Sequence, residues 1–518
     1  MPRISCLRGR RCLPLFFAAL FVLAACSPGD APEQAAGTEV VVAIESFPTN
    51  LDPRLSTDAY SERIGQLMFS KLVRTGPNME VTGDLAASWE TPTPTTYLFH
   101  LKSGFRFHDG TPVTAQDVVY TFRWMLDPDN LSPHRGGYKE ISEVVAEDDL
   151  TVRFTLTAPH APFLVNMERG IVPAHLGDTE GYGAAPVGSG PYRLEEQRPG
   201  EAVKLVAFAG YPDGAPPTEH LTFRVMPEDT VRLLAIKKGD VHMVLNALPP
   251  DAIKMLENDP RLVVERSTGT NYSYLGFNLE DPLLKRPGVR RAIAHAIDRD
   301  AIIEALYRGQ ARPATGMLTP DHWAYEPDVA THPFDPDMAK ALLDEAGLID
   351  PPGPEPRFSL LYKTSQNELT RRIGEVLQQQ LAEVGIAITV RPYEWGTFYS
   401  DIKNGNFQIY TLSWVGIVEP DIFHYVFHSD SVPPAGANRG HYKNPKVDAL
   451  LETGRSTPER KKRRATYREV QKILARDLPY VSLWHPEVIL VRDRRLTGFE
   501  LTPSGDYDSL ARVRLTPN

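Results

Sequence analysis

The chain has 518 residues, of which 42% are hydrophobic and 24% are charged, and its formal net charge is -10. These values are typical of globular proteins and exclude disordered and collagen-like classes. The acidic balance also excludes nucleic acid as a main partner, because neutralising phosphates needs a basic surface. A chain of this length can bury a large core and is expected to divide into about two to four lobes.

The amino terminus has the pattern of an export signal. Residues 1–12 contain four arginines and no acid, and an apolar run over residues 13–25 follows. Such a pattern is typical of a secretory signal peptide, and the run is too short for a membrane-spanning helix. All three cysteines lie at positions 6, 12 and 26, and no Cys-x-x-Cys pair exists. A zinc ribbon, a thioredoxin-like motif and a disulfide framework are therefore excluded.

The expected cleavage site is more specific than that of a general signal peptide. Leu23-Ala-Ala-Cys26 resembles the bacterial lipobox, so Cys26 is the predicted lipidated first residue of the mature protein. Removing residues 1–25 moves the formal charge from -10 to -14, because four arginines leave with them. Residues 26–37 are predicted to be a flexible tether. We expect a monomeric body in the periplasmic space of a bacterial envelope, held at a membrane by its lipid anchor only.

The first half of the body shows both strand and helix signals. The β-branched run over residues 40–44 predicts a buried strand. Residues 96–102 and 105–107 alternate apolar and polar side chains around Ser103-Gly104, which predicts a hairpin. Thr114, with Asp117 three residues later, predicts the amino-terminal cap of a helix.

Longer helices are predicted in the second half. One apolar stripe at helical spacing runs from Val289 to Ile302. Other helices are predicted from residue 336 to a stop at Gly347, from residue 369 to a stop at Gly385, and over residues 459–474. A period-2 strand is predicted over residues 386–390. Strands that alternate with helices predict the α/β class.

Enzyme motifs are missing from the sequence. It contains no GxxxxGK[ST], no HExxH and no GxGxxG after a strand, so we predict no catalytic function and no cofactor. A Ser-His-Asp site built from distant residues stays open.

Asp421, His424 and His428 share one face of a helix and could ligate a metal. The alternative, which we favour, is that these three residues only form the solvent-facing side of an amphipathic helix and bind no metal. Residues 461–464 (Lys-Lys-Arg-Arg) are interpreted as a solvated helix face.

Several motifs in chain order carry a family resemblance. The sequence resembles the family 5 solute-binding proteins, the dipeptide and oligopeptide receptors of ABC importers, over about residues 38–518. The motifs that carry the resemblance are Asp84-Leu-Ala-Ala-Ser-Trp89, residues 97–117, Val187-Gly-Ser-Gly-Pro-Tyr-Arg193, Leu275-Gly-Phe-Asn278, residues 289–299, residues 339–347 and Tyr442-Lys-Asn-Pro-Lys-Val-Asp448.

The resemblance implies a three-lobed periplasmic binding protein of the cluster C type. Two α/β lobes would be hinged around a ligand cleft, and an extra lobe would be inserted. The implied ranges are residues 38–72, 187–272 and 485–518 for lobe I, 73–186 for lobe II and 273–484 for lobe III. In peptide receptors of the family, the ligand lies extended between lobes I and III and is held by main-chain hydrogen bonds.

The resemblance also implies ligand-binding residues, with two departures from the family pattern. Aromatic residues such as Trp395 and Trp414 either finish a core or line a pocket. The resemblance favours the pocket. Ile417 stands where peptide receptors have the aspartate that binds the ligand's α-ammonium, and Glu419 is the nearest acid. The arginine for the ligand carboxylate is also missing, and Lys363 could replace it. The predicted ligand-binding residues are Thr57, Asp58, Tyr60, Tyr274, Lys363, Trp395, Trp414, Gly416, Ile417 and Glu419.

The sequence thus predicts a receptor that captures a peptide or peptide-like solute and delivers it to the permease subunits of an ABC importer. A non-peptide solute, such as a metal chelate, heme, an opine or a sugar, is the alternative within the same role. An envelope hydrolase and a ligand-free chaperone-like protein are the alternatives from other classes.

Overall fold

The structure is a computed structural model that describes residues 39–76 and 80–517. The predicted signal peptide, Cys26 and the tether lie outside these residues. Among the helices it describes, none is both long enough and apolar enough to cross a membrane.

A seven-stranded sheet is built around the first strand, Glu39–Ile44. This strand pairs in parallel with His220–Val225 on one side and with Met243–Leu245 on the other. Val40, Val42 and Ile44 pack against the helix Ala59–Met68, while Val41 and Ala43 face the helices Asp229–Lys238 and Pro250–Leu256. The strand is therefore buried on both faces, as its unbroken β-branched run predicts. The spatial order is Leu262–Ser267, Val488–Asp493, Met243–Leu245, Glu39–Ile44, His220–Val225, Ala202–Ala207 and Tyr192–Arg198.

A four-stranded antiparallel sheet forms a second layer with the helix Ala115–Leu126. Asp117 accepts hydrogen bonds from the backbone nitrogen and the hydroxyl of Thr114 at 2.8 and 2.9 Å, which confirms the predicted cap. The predicted hairpin is wrong. Thr96–Leu101 pairs with its neighbours in the sheet, whereas Arg106 forms only an isolated bridge with Pro112. The spatial order is Ala86–Thr93, Thr96–Leu101, Thr151–Leu156 and Ile141–Asp148.

A six-stranded sheet carries helices on both faces. The helices Pro287–His295, Pro336–Glu345 and Glu368–Ala382 share one apolar core with it. The opposite core includes side chains from Trp395–Lys403, Ile422–Phe427, Pro445–Ser456 and Arg460–Asp477. The spatial order is Ala311–Pro313, Tyr480–Pro486, Tyr272–Phe277, Ile409–Trp414, Phe358–Ser365 and Ile386–Tyr393. Helices on both faces of two sheets confirm the α/β class.

One helix prediction in this region needs correction. The apolar stripe that begins at Val289 predicts a single helix, but the helix ends at His295 and a new one, Arg299–Ile302, begins after Asp298. Asp298 accepts a hydrogen bond from the backbone nitrogen of Ala301 and so caps the second helix. Ile297 and Ile302 are nevertheless buried with the rest of the stripe. The apolar spacing therefore predicted burial correctly but missed the local cap.

The remaining elements are short. Two small sheets pair Val73–Thr75 with Val81–Gly83 and Leu496–Thr497 with Arg514–Leu515. The other helical segments are Pro128–Asn130, Arg135–Tyr138, Phe163–Asn166, Tyr182–Ala184, Ile303–Tyr307 and Asp508–Arg512.

The chain crosses twice between the seven-stranded and the six-stranded sheet. Residues 268–271 make the first crossing and residue 487 makes the second. The two crossings lie side by side, since a Cβ at Gly269 would collide with the carbonyl oxygen of Pro486. Such a pair of adjacent segments could absorb a change in the angle between two lobes.

Candidate ligand-binding site

Two of the predicted tryptophans lie around one arginine, Arg439. Trp395 opens the helix Trp395–Lys403, is 55% exposed and stacks on Tyr399 with ring centres 5.5 Å apart. Trp414 ends the strand Ile409–Trp414 and meets the edge of Tyr425, which is 45% exposed. We call Trp395, Tyr399, Trp414, Tyr425 and Arg439 the Arg439 cluster.

The guanidinium of Arg439 holds this cluster together. It lies 5.3 Å from the ring centre of Tyr399 and 5.0 Å from that of Trp414, within the range of cation–π attraction. It donates hydrogen bonds to the hydroxyls of Tyr274 at 3.2 Å and Tyr399 at 3.1 Å. Burial alone would lower the pKa of Arg439, but the surrounding tyrosine oxygens raise it, so the group stays charged. No sequence signal points to Arg439, because a lone arginine before a glycine matches no motif.

Tyr274 supports the cluster from behind and does not line an open cleft. Its side chain is fully buried, and burial raises its pKa well above the usual value. Its hydroxyl lies 3.5 Å from that of Tyr410 and accepts the hydrogen bond from Arg439. That Tyr274 contacts the ligand directly stays a prediction, and in this arrangement no part of its ring is accessible.

Gly416 and Ile417 connect the cluster to the first crossing between the sheets. Gly416 has a φ of +65°, which favours glycine, and its backbone nitrogen donates to Asn271 at 3.0 Å. The backbone nitrogen of Ile417 donates to the carbonyl of Thr270 at 3.3 Å. The Ile417 side chain is buried in the apolar core. Two backbone hydrogen bonds therefore tie the segment after Trp414 to the first crossing.

Glu419 already has a partner. Its carboxylate accepts hydrogen bonds from the guanidinium of Arg463, with one contact at 3.2 Å from Nη1 to Oε2 and a shorter one to the other oxygen. Burial raises the pKa of Glu419, and Arg463 opposes this shift. The sequence-based role of Glu419 as acceptor for a ligand ammonium stays a prediction, but the geometry commits the carboxylate elsewhere. Arg463 belongs to the basic run at 461–464, so one member of that run is buried and not solvated.

Lys363 is also committed. Its ammonium donates to Asp401 Oδ2 at 2.6 Å and lies 5.1 Å from the ring centre of Tyr393. Its side chain is almost completely buried. Asp401 lies on the helix that Trp395 opens, so this ion pair fixes the helix on the sheet. In this arrangement the ammonium of Lys363 is therefore not free to bind a ligand carboxylate.

The predicted loop residues Thr57, Asp58 and Tyr60 lie at the start of the helix Ala59–Met68. Thr57 is exposed, whereas the ring of Tyr60 is buried and its hydroxyl accepts from the backbone nitrogen of Glu45. Asp58 caps the helix by accepting from the backbone nitrogens of Tyr60 and Ser61 at 3.1 and 2.9 Å. Within residues 39–76 and 80–517, no hydrogen bond or ring contact joins this loop to the Arg439 cluster.

The histidine pair of the metal hypothesis has a different third member from the one predicted. His424, His428 and Glu452 bring one ligand atom each within 4.8 Å of one another. Asp421, the third residue of the predicted set, instead pairs with Arg455 at 3.1 Å.

One nitrogen of each histidine already accepts a hydrogen bond from the protein. Arg455 donates to His424 Nε2 at 3.2 Å, and the backbone nitrogen of Asp430 donates to His428 Nδ1 at 3.1 Å. Burial and the neighbouring Arg455 lower the pKa of His424 to about 2. A positive guanidinium at the His424 nitrogen opposes a second cation, so the geometry favours a structural role for the pair.

The comparisons with known proteins identify the family. Residues 80–432 match the family described as "Bacterial extracellular solute-binding proteins, family 5 Middle". The chain therefore belongs to the family 5 extracellular solute-binding proteins. This membership confirms the sequence-based family assignment and the multi-lobed α/β fold of periplasmic binding proteins.

Individual relatives cover almost the whole chain. A dipeptide-binding protein of Escherichia coli K12 is 29% identical, over 90% of this chain and 93% of its own length. Heme-binding protein A of Haemophilus influenzae is 28% identical, over 96% and 97%. The oligopeptide-binding protein AppA of Bacillus subtilis, solved in complex with a nonapeptide, has a TM-score of 0.86 at 28% identity, over 92% of this chain and 99% of its own.

Proposed function

We propose that this protein is the substrate-binding component of an ABC importer and that it captures a peptide or peptide-like solute. The observation that carries the proposal is the match to AppA, a peptide-bound structure, over 92% of the chain. The Arg439 cluster gives the six-stranded sheet a partly exposed aromatic surface with a fixed charge, which suits recognition of a polar solute. Lobes I and III, with the ranges implied by the sequence, would close over the ligand, and the protein would act as a binder and not as an enzyme.

Native mass spectrometry of protein purified from its own envelope tests this proposal. We expect a retained ligand whose mass and fragmentation show amide-linked amino acids. A retained heme or other non-peptide would contradict the peptide assignment while leaving the receptor role. Turnover of a peptide or ester panel by the purified protein would contradict the receptor role itself.

A non-peptide solute is the second candidate. Two observations favour it: a heme-binding relative matches over 96% of the chain, and the carboxylates of Glu419 and Asp401 are held by Arg463 and Lys363. Neither of these two acids is then free to act as the counter-ion of a peptide's ammonium group, and burying an unpaired ammonium is costly.

The proposed location is the bacterial envelope, with the mature protein anchored through lipidated Cys26. The lipobox-like Leu23-Ala-Ala-Cys26 after an arginine-led apolar run supports this anchor. Cys26→Ala should release the protein into the soluble periplasmic fraction or block its processing. If wild type and variant both fractionate as soluble mature protein, there is no lipid anchor.

A further inference from the structure

Two buried hydrogen-bond donors meet in the Arg439 cluster without an anionic partner. Arg439 is only 7% exposed, and both of its side-chain acceptors are neutral tyrosine hydroxyls. Within the part of the chain that the structure describes, no carboxylate forms an ion pair with it. A guanidinium has five N–H donors, and the two tyrosines use two of them. A buried guanidinium without a counter-ion is unfavourable unless another anion completes the site.

The second donor is the indole nitrogen of Trp414. Its Nε1 is buried and, among the described residues, has no acceptor. An indole N–H can only donate, and leaving a buried donor unpaired is costly. Because the Arg439 guanidinium lies over the Trp414 ring, the two unsatisfied donor groups belong to one site. Both observations indicate the same missing partner, an acceptor that carries negative charge.

We propose that Arg439 and Trp414 form an anion-binding subsite that anchors a carboxylate of the captured solute. A carboxylate accepts two parallel hydrogen bonds from a guanidinium, so it satisfies the charge and the donors together. The inference rests on the proposed function, because it names the chemical class bound at the same receptor site.

The surroundings of the subsite restrict the ligand further. Trp395 and Tyr425 are about half exposed beside it and offer apolar ring surface. The carboxylates of Glu419 and Asp401 are paired with Arg463 and Lys363, whereas that of Glu394, next to Trp395, is exposed and forms no ion pair among the described residues. The subsite therefore selects a carboxylate next to an apolar or planar group.

Matched probes of different charge test the subsite. The first set is the peptide Ala-Phe-Ala as the N-acetylated acid, the N-acetylated amide and the amide with a free amine. The second set is 4-phenylbutyrate and its amide. Binding is measured by calorimetry, with thermal shift as a second readout because a bound ligand raises the unfolding temperature. We expect the wild type to bind each acid at least about tenfold more tightly than the matching amide.

Variants test whether the preference for acids over amides comes from the guanidinium of Arg439 and the indole N–H of Trp414. Arg439→Gln should weaken binding of the acids by about tenfold to a hundredfold and leave the neutral amides unchanged. Arg439→Lys, which keeps the charge, should retain part of the preference. Trp414→Phe keeps a ring but removes the N–H, and should reduce the preference even if Arg439→Gln does not fold. Arg460→Gln is the control, because Arg460 is exposed and lies over Trp323, in contact with none of the cluster residues.

The outcomes separate the inference from the proposed function. If peptide acids and amides bind equally well, or if Arg439→Lys and Trp414→Phe keep the full wild-type preference, the subsite is overturned and the peptide receptor stands. If only phenylbutyrate binds and its amide does not, the subsite stands and the peptide assignment fails. If neither set binds, both are contradicted.

Discussion

Glu419 is an acid whose function depends on its partner. Its carboxylate and the guanidinium of Arg463 are both mostly buried, with side-chain exposures of 16% and 7%. Removing one member of a buried ion pair leaves an uncompensated charge, which typically costs about 3–5 kcal/mol. The first effect of changing Glu419 should therefore be on the free energy of unfolding and not on ligand binding.

We expect Glu419→Gln to lower the free energy of unfolding by about 3 kcal/mol, measured by urea denaturation. Glu469→Gln is the matched control on the same helix as Arg463, because Glu469 pairs with the exposed Lys446 at 2.9 Å. That variant should cost less than about 1 kcal/mol. The ratio of affinities for free-amine and N-acetylated peptides should not change in Glu419→Gln. A changed ratio would show that the carboxylate reaches the ligand.

At the residue scale the family resemblance pointed to the aromatic residues of the candidate site, whereas its charges were not foreseen. From the residues alone, Trp395 and Trp414 could equally have finished a core, and only the resemblance favoured a pocket. Arg439 could not be predicted, since its environment consists of Tyr274, Tyr399 and Trp414, which are far apart in the chain. For the same reason the sequence could not show that Glu419 and Lys363 are already paired.

At the scale of secondary-structure elements, Asp58 caps the helix Ala59–Met68 and is also a predicted ligand-binding residue. Its carboxylate accepts from the backbone nitrogens of Tyr60 and Ser61 and from the hydroxyl of Thr49 at 2.6 Å. Replacing such a cap with alanine costs about 0.5–2 kcal/mol, whereas serine still caps well. The two substitutions can therefore distinguish a cap from a ligand contact.

We expect Asp58→Ala to destabilise the protein by about 1 kcal/mol and Asp58→Ser to restore most of that stability. If Asp58 acts only as a cap, the affinity for the retained ligand should follow stability and recover in the serine variant. Calorimetry and thermal unfolding on the same samples check this. A serine variant that is stable but still binds weakly would support the sequence-based ligand contact.

The elements themselves were largely predictable because their signals are local. The cap at Thr114 and the stops at Gly347 and Gly385, both with positive φ, lie where the sequence placed them. The failed hairpin at Ser103-Gly104 shows the limit of such signals. Alternation identifies an extended segment, but its partner strand is chosen by long-range packing, here with Thr151–Leu156.

At the scale of the whole molecule, buried histidines lie where the segment after the four-stranded sheet meets the helices of the six-stranded sheet. The backbone nitrogen of Ala161 donates to the carbonyl of Arg455 at 2.6 Å. Burial, together with Arg455 and Arg463, lowers the pKa of the neighbouring His160 to about 3. The folded state therefore excludes a proton that an unfolded histidine accepts below about pH 6.5. This contact should weaken as the pH falls.

We expect the stability contributed by His160 to be complete above about pH 6.5 and to fall by about 1.4 kcal/mol per pH unit between pH 6 and pH 4. His160→Gln cannot take up this proton. In this pH range its free energy of unfolding should therefore depend less steeply on pH, by the slope that corresponds to about one proton. The unfolding temperature measured from pH 4 to pH 8 checks the slope. Identical slopes for wild type and variant would show that His160 does not carry the effect.

We expect the proposed closure to turn about the two crossings between the large sheets. The first crossing also holds the site, because Asn271 and Thr270 bind the backbone of Gly416 and Ile417 beside Trp414. A change in the crossing should therefore reach the Arg439 cluster directly. Gly269 is a sensitive position, since a Cβ there would collide with the carbonyl oxygen of Pro486, the last residue before the second crossing.

We expect Gly269→Ala to push the crossings apart, to cost about 1–3 kcal/mol of stability and to hold the lobes in a more open arrangement. Small-angle scattering should then show a larger radius of gyration than for wild type, and the retained ligand should bind about tenfold more weakly. Gly316→Ala is the control, because a Cβ there has no atom within 4 Å. If both variants match the wild type in radius and affinity, closure does not turn about these crossings, and the coupling between residues 268–271 and Trp414 serves only to fix the loop.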